Sequence, residues 1–276
     1  MFAALALLTL YPFYNVIILS FSNTESVAKY IPYLLPFALD LTGYKTIIQD
    51  SDFINSLLVS LFVTIVGTAV NMVLSVIAAY VLSRKYLDGR NMIMSVIVFT
   101  MLFGGGLVPT YMVIKDMGLI NKVWAMILPT AINTYYLIIM KNYFLGLPDG
   151  LFEAAKLDGA GEWTMLWKVA FPLSKPIMAT FTLFYAVDRW NEWYNALLYI
   201  NKKALSPLQI YLRDILTSLN SQLSTQAQQM MGSTQKVSTS AVQMATIVIT
   251  ALPIMLVYPY LQKYFVNGVM VGGIKE

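Results

Sequence analysis

The sequence predicts an all-α, polytopic membrane protein with six transmembrane helices. Hydrophobic residues make up 58% of the 276 residues and charged residues only 12%, whereas soluble domains average roughly 25% charged residues. Apolar runs close to the ~20 residues that a spanning helix needs recur along the chain, separated by short polar segments. We therefore expect residues 1–276 to form a single transmembrane domain whose outer surface faces lipid.

Four predicted spans contain no charged residue, and the other two are less regular. The fourth span is free of charge only over residues 123–140. The fifth contains Asp188, Arg189 and Glu192, so it can cross the bilayer only if these side chains face protein or water. The six spans are predicted at residues 1–22, 54–83, 92–114, 123–144, 173–197 and 238–262.

The topology follows from the distribution of basic residues. We interpret the first apolar run as a transmembrane helix rather than a signal peptide, because no Lys or Arg precedes it. Basic residues such as Arg84, Lys85 and Arg90 crowd the connection after the second span. Since basic loops stay in the cytoplasm, both termini are expected there. The polar stretch 199–237 is then expected outside, either as a passive connector or as a loop that touches an extracytoplasmic partner.

Composition excludes several classes of protein. Without cysteine or histidine, the chain can build no disulfide, no thiolate or imidazole metal site and no Cys or His catalytic group. The net charge of +4 is not gathered into a basic tract with interleaved aromatic residues, so nucleic-acid binding is not expected. No G-x-x-x-x-G-K-[ST] motif occurs, so the chain is expected to bind no nucleotide of its own. We predict that it is not an enzyme and holds no cofactor or metal.

The connection between the fourth and fifth spans, residues 147–172, carries the most specific pattern in the sequence. Its first four residues, Leu-Pro-Asp-Gly, predict a turn. A short helix follows, and Asp158 and Gly159 predict a break at which a positive φ is tolerated. A second helix leads to Pro172. The residues expected to form the apolar, partner-facing side of the first helix are Leu151, Phe152, Ala155 and Leu157, while Ala154 and Ala155 are small enough to allow close approach.

This connection resembles the EAA loop of bacterial ATP-binding-cassette (ABC) importer permeases. Glu153, Ala154 and Ala155 are followed after three residues by Gly159 and after nine more by Val-Ala-Phe-Pro, where the family usually has I-x-L-P. The C-terminal residues 267–276 are similar to the tail of the MalG-like, binding-protein-dependent permeases for carbohydrate uptake. The segment Trp-Asn-Glu at 190–192 is similar to one in the same permeases, and residues 103–111 look like the subgroup for complex oligosaccharides.

The resemblance implies the fold of type I importer permeases, with a cytoplasmic coupling helix. It also implies a second homologous permease subunit, two ATP-binding subunits that hold ATP and Mg, and an extracytoplasmic substrate-binding protein. The residues implied to contact the ATPase are Glu153, Ala154, Ala155, Lys156, Leu157, Asp158 and Gly159. A tail that lies between the ATPase subunits is implied to use Asn267, Gly268, Gly272 and Gly273.

Charged and aromatic residues near the fifth span are candidates for the transport pathway. An ionisable residue inside a span is by default a hypothesis for a functional site, and sugars stack on aromatic faces beside polar groups. The competing interpretations are a structural ion network and an interfacial belt of aromatic residues. The candidates are Tyr135, Tyr136, Tyr185, Arg189, Trp190, Asn191, Glu192 and Trp193.

Two functions compete on the sequence. The favoured one is the channel-forming subunit of an ATP-driven importer in the bacterial cytoplasmic membrane, which works by alternating access. Its substrate is an oligosaccharide or a polysaccharide fragment, with alginate-type oligosaccharides as a candidate by resemblance. The alternative is an ion-coupled secondary transporter in which Asp188, Arg189 and Glu192 relay ions or protons. It requires transport that continues without ATP.

Overall fold

The computed structural model describes residues 2–22, 39–226 and 241–256, and this part of the chain is almost entirely helical. An isolated bridge pairs Ser22 with Leu39. The helices are α1 (Phe2–Ser20), α2 (Thr42–Gln49), α3 (Ser51–Ser83), α4 (Arg90–Leu102), α5 (Leu107–Asp116), α6 (Trp124–Ile127), α7 (Thr134–Leu145), α8 (Asp149–Leu157), α9 (Glu162–Thr164), α10 (Phe171–Leu173), α11 (Lys175–Trp190), α12 (Tyr194–Tyr199), α13 (Leu208–Gln226) and α14 (Ala241–Leu256). A π-helix over Met165–Ala170 joins α9 to α10.

Among the described helices, α3 alone is long and apolar enough to cross a membrane by itself. Helices α4 and α5 reach that length only together, and they are bent by 117° at the break between them. Leu5–Ser20 and α14 are shorter apolar helices. The described residues thus contain one such helix, or two if the bent pair is one span. The count of six spans stays a prediction.

Three of the predicted spans are not the continuous helices that their apolar runs suggested. The span at 92–114 breaks at residues 103–106, where Gly106 has a φ of +85° that ends the helical path. The span at 123–144 becomes α6, a short 3-10 turn and α7, whose first turn is capped by the Asn133 side chain. The span at 173–197 breaks after Trp190. A hydropathy pattern indicates how long an apolar run is, but it does not indicate where the backbone turns within that run.

The polar stretch 199–237 contains a helix where the sequence suggested a loop. Helix α13 runs from Leu208 to Gln226, directly after Pro207. The Leu208 side chain is fully buried, and its N–H donates to the Ser60 hydroxyl at 2.7 Å. The burial of Leu208 and this hydrogen bond thus hold the start of α13 in place. The last residues of this stretch lie outside the described ranges.

The chain divides into two compact units. The first comprises residues 1–60 and 201–257. Within it, the Ser20 and Tyr44 hydroxyls are 2.7 Å apart, and the Asn55 amide donates to the Ala204 carbonyl at 2.8 Å. Tyr211 donates its hydroxyl to Asp50 at 2.7 Å. These contacts join α1 to α2, and the start of α3 to the segment that leads into α13.

The second unit comprises residues 61–200 and 258–276, and its described part contains the predicted coupling loop and pathway candidates. Its core brings together the C-terminal half of α3 and helices α7, α8 and α11 with the segment between α8 and α11. The buried residues of this core are Val76, Ala79, Tyr80, Leu82, Leu137, Met140, Phe144, Phe152, Met165, Leu166, Ala170, Met178, Phe181 and Tyr185.

Candidate coupling loop and polar cavity

Local signals at both ends determine the extent of helix α8. Pro148 is extended, with φ −57° and ψ 124°, and Asp149 opens the first turn, where a carboxylate is favourable beside the free N–H groups. At the other end Gly159 has a φ of +78°. The Gly159 N–H donates to Lys156 O at 3.0 Å and the Ala160 N–H donates to Ala155 O at 2.9 Å. This pair of bonds is a Schellman motif, so the glycine of the EAA pattern terminates the helix.

Helix α8 has two apolar faces rather than the single one expected from the sequence. Phe152 is buried in the core of its own unit, and Ala155 and Ala160 pack against that core. Leu151, Ala154 and Leu157 are exposed at intervals of three residues, and Leu157 is 90% exposed. The expectation that Phe152 faces a partner was therefore wrong, because that side of the helix attaches it to the chain. The exposed side is the part available to a partner.

Polar and aromatic contacts tie α8 to the end of α3 and to the loop that follows. Lys85 Nζ lies 2.8 Å from Asp149 Oδ2. The Arg84 guanidinium carbon lies 3.9 Å from the centre of the Phe152 ring and 4.3 Å from that of Tyr80, which are cation–π contacts. A cavity of about 180 Å³ lies between the two segments. Helix α8 is thus fixed at its first turn and along its inner face.

Two ionisable groups of this region titrate away from their ordinary ranges. The Lys85 ammonium bonds to the Asp149 carboxyl and holds the pKa of that carboxyl below its usual value. Partial burial, followed by the hydrogen bond to Glu162, raises the pKa of Tyr86 to about 12. Both shifts show that the observed contacts favour a carboxylate at Asp149 and a neutral phenol at Tyr86.

Most residues predicted to contact an ATPase are accessible on the described surface. Glu153, Ala154, Lys156, Leu157, Asp158 and Gly159 are exposed, while Ala155 is half-buried and turned toward the core. The tail residues Asn267, Gly268, Gly272 and Gly273 lie outside the described residues, so their role stays a prediction.

Half of the pathway candidates line one polar cavity of the second unit. The cavity has a volume of about 440 Å³, and Tyr136 contacts it indirectly, because its hydroxyl donates to Asp188 Oδ2 at 3.1 Å. Trp190 is buried, whereas Asn191 and Trp193 are exposed, and none of these three lines the cavity. The residues that do are Met101, Pro129, Thr130, Ile132, Asn133, Thr134, Tyr135, Tyr185, Asp188, Arg189 and Glu192.

Arg189 lies in the wall of this cavity but is bonded to the fold. It is 4% exposed. Its Nη1 donates to Met126 O at 2.6 Å, and its Nη2 donates to the Thr130 carbonyl and hydroxyl at 2.6 and 2.8 Å. In the amide orientation that satisfies both side chains, Asn71 Oδ1 accepts from Nε and Nη2 at 3.0 and 3.1 Å. Glu192 Oε2 lies 3.6 Å from Nη1. These acceptors match the structural ion network that the sequence left open.

The remaining polar groups of the cavity differ in how many hydrogen bonds they already make within the chain. Glu192 accepts from both the backbone N–H and the side-chain amide of Asn195 at 3.0 Å. The Tyr185 hydroxyl lies 2.7 Å from the Ser75 hydroxyl and accepts from the Asn133 N–H at 3.1 Å. Asp188 is exposed. Among these groups, Asp188 and the ring of Tyr135 are the most accessible to a solute.

Several residues of these two sites were not singled out from the sequence. Asn71 and Ser75 are polar residues inside the apolar run of α3, and an intramembrane polar residue is a usable signal. Gly67 lies against Arg189, since a Cβ at Gly67 would come within 2.9 Å of Arg189 Cδ. Tyr80 and Glu162, which bond to each other at 2.9 Å, had no comparable signal, because 82 positions separate them in the chain.

Comparison with known proteins identifies the family. Residues 26–271 match the family described as binding-protein-dependent transport system inner membrane component. The chain is 42% identical to the protein LplC of Bacillus subtilis, over 97% of this chain and 90% of that protein. It is 43% identical to the polygalacturonan/rhamnogalacturonan transport system permease protein YtcP of the same organism, over 98% of this chain and 94% of that protein.

A solved structure is also similar over nearly the whole chain. It is a bacterial ABC transporter involved in the import of the acidic polysaccharide alginate. The TM-score is 0.87 at 33% identity, with 96% of this chain and 93% of that chain covered. These findings confirm the resemblance inferred from the EAA spacing and offer no support for the ion-coupled alternative. The chain belongs to the binding-protein-dependent transport system inner membrane component family, as a permease component of an ABC importer.

Proposed function

We propose that this chain is one of two homologous permease subunits of an importer that carries fragments of acidic polysaccharides into a bacterial cell. Two ATPase subunits bind ATP and Mg, and their closure drives alternating access. A binding protein delivers the sugar from outside. The single observation that carries the coupling part is the geometry of α8, which is fixed to its own chain by one face and exposes Leu151, Ala154 and Leu157 on the other.

The exposed face of α8 has the properties of a docking surface. A leucine that is 90% exposed at a polar surface gains roughly 1.5–3 kcal/mol when a partner buries it. Glu153 flanks this face and is accessible for an ion pair. The Schellman end at Gly159 lets the chain turn back immediately, so the helix projects as a short, rigid element.

The substrate class rests on the relatives. One relative is described as a polygalacturonan/rhamnogalacturonan transport system permease, and the similar solved structure as a transporter involved in the import of the acidic polysaccharide alginate. Among the described residues that line the polar cavity, the cation is Arg189, and its donors face acceptors of its own chain rather than the open space. We therefore propose that the binding protein and the second permease subunit select for the sugar's negative charge. In this chain, the ring of Tyr135 provides a stacking face along the path, and the Asp188 carboxylate accepts hydrogen bonds from sugar hydroxyls.

Leu157→Ser tests the docking of the ATPase subunits. We expect the purified permease pair to retain about tenfold less ATPase subunit, since losing the burial of one leucine removes more than 1.4 kcal/mol. Leu157→Met is the matched control, because it keeps the apolar volume and should retain the ATPase at the parent level. Equal retention by Leu157→Ser and the parent would rule out this face as the ATPase contact.

The orientation can be tested with the same residue, because the chain contains no cysteine. In intact cells, a cysteine introduced by Leu157→Cys should resist a membrane-impermeant maleimide and react after the membrane is opened.

The substrate class is tested by uptake of trigalacturonate and of an alginate trisaccharide, with maltotriose as the neutral control. Uptake of maltotriose alone would contradict the acidic-substrate proposal and leave the coupling assignment intact.

A further inference from the structure

One carboxylate that the docking surface does not use joins three segments of the second unit. Glu162 begins α9, just after the Schellman turn, and its side chain is 48% exposed. Even so, both of its oxygens are engaged. Oε2 accepts from the Tyr80 hydroxyl at 2.9 Å, and Oε1 accepts from the Tyr86 hydroxyl. Hydrogen bonds to an ionised carboxylate are about twice as strong as neutral ones, so this arrangement is more than a surface ion pair.

Lys156 brings α8 itself into the same group. Its Nζ lies 4.3 Å above the centre of the Tyr86 ring and 4.0 Å from Glu162 Oε1. We call Tyr80, Tyr86, Lys156 and Glu162 the Glu162 clamp. Tyr80 is buried on α3, Tyr86 lies in the turn after α3, and the other two residues lie on α8 and α9. The clamp thus joins both helices of the coupling loop to the end of α3.

Helix α3 also contacts the polar cavity. Ser75 bonds to the Tyr185 hydroxyl and Asn71 bonds to the Arg189 guanidinium, and both partners line the cavity. Tyr80 follows Asn71 by nine positions, a distance of roughly 13.5 Å along a helix. Because α3 is an uninterrupted helix over Ser51–Ser83, a displacement at Tyr80 is delivered to Asn71 without a hinge between them.

We propose that Glu162 is a positioning residue that makes the coupling loop and α3 move as one body, so that a displacement of α8 reaches the cavity wall. The proposal rests on the proposed function, in which an ATPase displaces α8. It does not require Glu162 to touch ATP, the ATPase or the sugar. Without the clamp, α8 is held to α3 only through its first turn and inner face, so part of its displacement is lost before α3 moves, while the ATPase still binds and hydrolyses ATP.

The test measures the distance between the coupling loop and α3 in the assembled complex of permease pair and ATPase subunits. Spin labels are attached after Trp163→Cys, which follows Glu162, and Leu74→Cys on α3; both positions are exposed. In the otherwise unaltered chain, we expect vanadate trapping with ATP to change this distance by less than about 2 Å, the scale of small helix shifts. With Glu162→Ala added, trapping should shift the distance further or broaden its distribution.

Two further variants and an activity measurement separate positioning from folding. Tyr86→Phe removes one hydroxyl of the clamp, and Glu162→Gln keeps an acceptor, so both should lie between the parent and Glu162→Ala. Tyr143→Phe is the matched control, since its hydroxyl donates to the Leu173 carbonyl at 3.3 Å, outside the clamp. ATP hydrolysis should persist in Glu162→Ala, while trigalacturonate imported per ATP falls about tenfold, the equivalent of one lost hydrogen bond to a charged group.

Parent-like distances in trapped Glu162→Ala would overturn the proposal, as would an equal effect of Tyr143→Phe. If Glu162→Ala does not assemble, the same criterion is applied to Tyr86→Phe, which then decides. A failure of the proposed function looks different, because the parent chain itself would retain no ATPase subunits or would hydrolyse no ATP.

Discussion

The second unit holds two charged clusters whose environments are opposite. Arg189 is buried, and backbone carbonyls, a hydroxyl, an amide and Glu192 surround its guanidinium. The Glu162 clamp lies at a surface where Lys156 and Glu162 are each about half exposed, close to the exposed Leu157. The Arg189 cluster is satisfied entirely by groups of its own chain, and the Glu162 clamp borders a surface that is accessible to a partner.

This difference teaches how to interpret charge in a membrane protein. A charge that the fold buries must be satisfied by the fold, because an uncompensated buried charge costs several kcal/mol. A half-exposed charge is also solvated by water, so removing it costs the fold less than removing a buried one, and its contacts can be used to position a moving element. We therefore expect substitutions at Arg189 to act on stability and substitutions at the clamp to act on coupling.

Arg189→Met has the largest expected effect. It removes the Arg189 donors from Met126 O and Thr130 O and the countercharge from Glu192 in a buried site, and breaking such a site by removing one partner costs about 3–5 kcal/mol. Thermal unfolding of the purified protein should show a large drop in Tm. Arg213→Met, at an exposed position of α13, is the control and should melt like the parent. Similar Tm values for the two variants would remove the distinction between the clusters.

Gly67→Ala tests how tightly the buried Arg189 cluster is packed. An alanine in place of a helical glycine normally stabilises by roughly 0.5–1 kcal/mol. Here the new Cβ would lie 2.9 Å from Arg189 Cδ, and the guanidinium cannot move away without losing its acceptors, so we expect a loss of about 1–3 kcal/mol. Gly150→Ala in α8 is the matched control, because nothing lies within 4 Å of its Cβ position. A Tm above the parent for Gly67→Ala would show that Arg189 is loosely held.

Gly159→Ala tests the end of α8. Its φ of +78° costs a residue with a side chain about 1–2 kcal/mol, although the space around it is open. Gly161→Ala is a close control, since that site is equally open but has a φ of −74°. We expect Gly159→Ala to lower retention of the ATPase subunits and Gly161→Ala to leave it unchanged. Equal retention by both variants would show that the Schellman end is dispensable for docking.

Asp149→Asn has the smallest expected effect, because its partner Lys85 and Asp149 itself are largely exposed. Since the pKa of Asp149 is lowered in the folded chain, its ion pair stabilises the fold above the unfolded pKa of 3.8 and this stabilisation is lost as the pH falls through the folded value. The parent should therefore melt slightly above Asp149→Asn at pH 7, and the two Tm values should converge below pH 3.8. A constant difference across that range would exclude the Asp149 carboxylate as its source.

The sequence predicted much of the local structure of residues 147–172, the candidate coupling loop, because its signals are local. Pro148, Asp149 and Gly159 determine where α8 begins and ends, and hydrogen bonds of a few residues' span are readable from residue type and spacing. The division of its apolar residues into an inner face with Phe152 and an outer face with Leu157 was not readable, since both are apolar and only the packed core distinguishes them.

By itself, the sequence determined that the chain is helical and apolar enough for lipid, contains no G-x-x-x-x-G-K-[ST] motif, and carries the EAA spacing of its family. Composition and local spacing are sufficient for these, because each depends on one short segment at a time. Tertiary structure alone decided which charged groups are neutralised by hydrogen bonds and ion pairs within the chain. Asn71, Thr130 and Arg189, or Tyr80 and Glu162, are far apart in the chain, and their meeting depends on how α3, α9 and α11 pack.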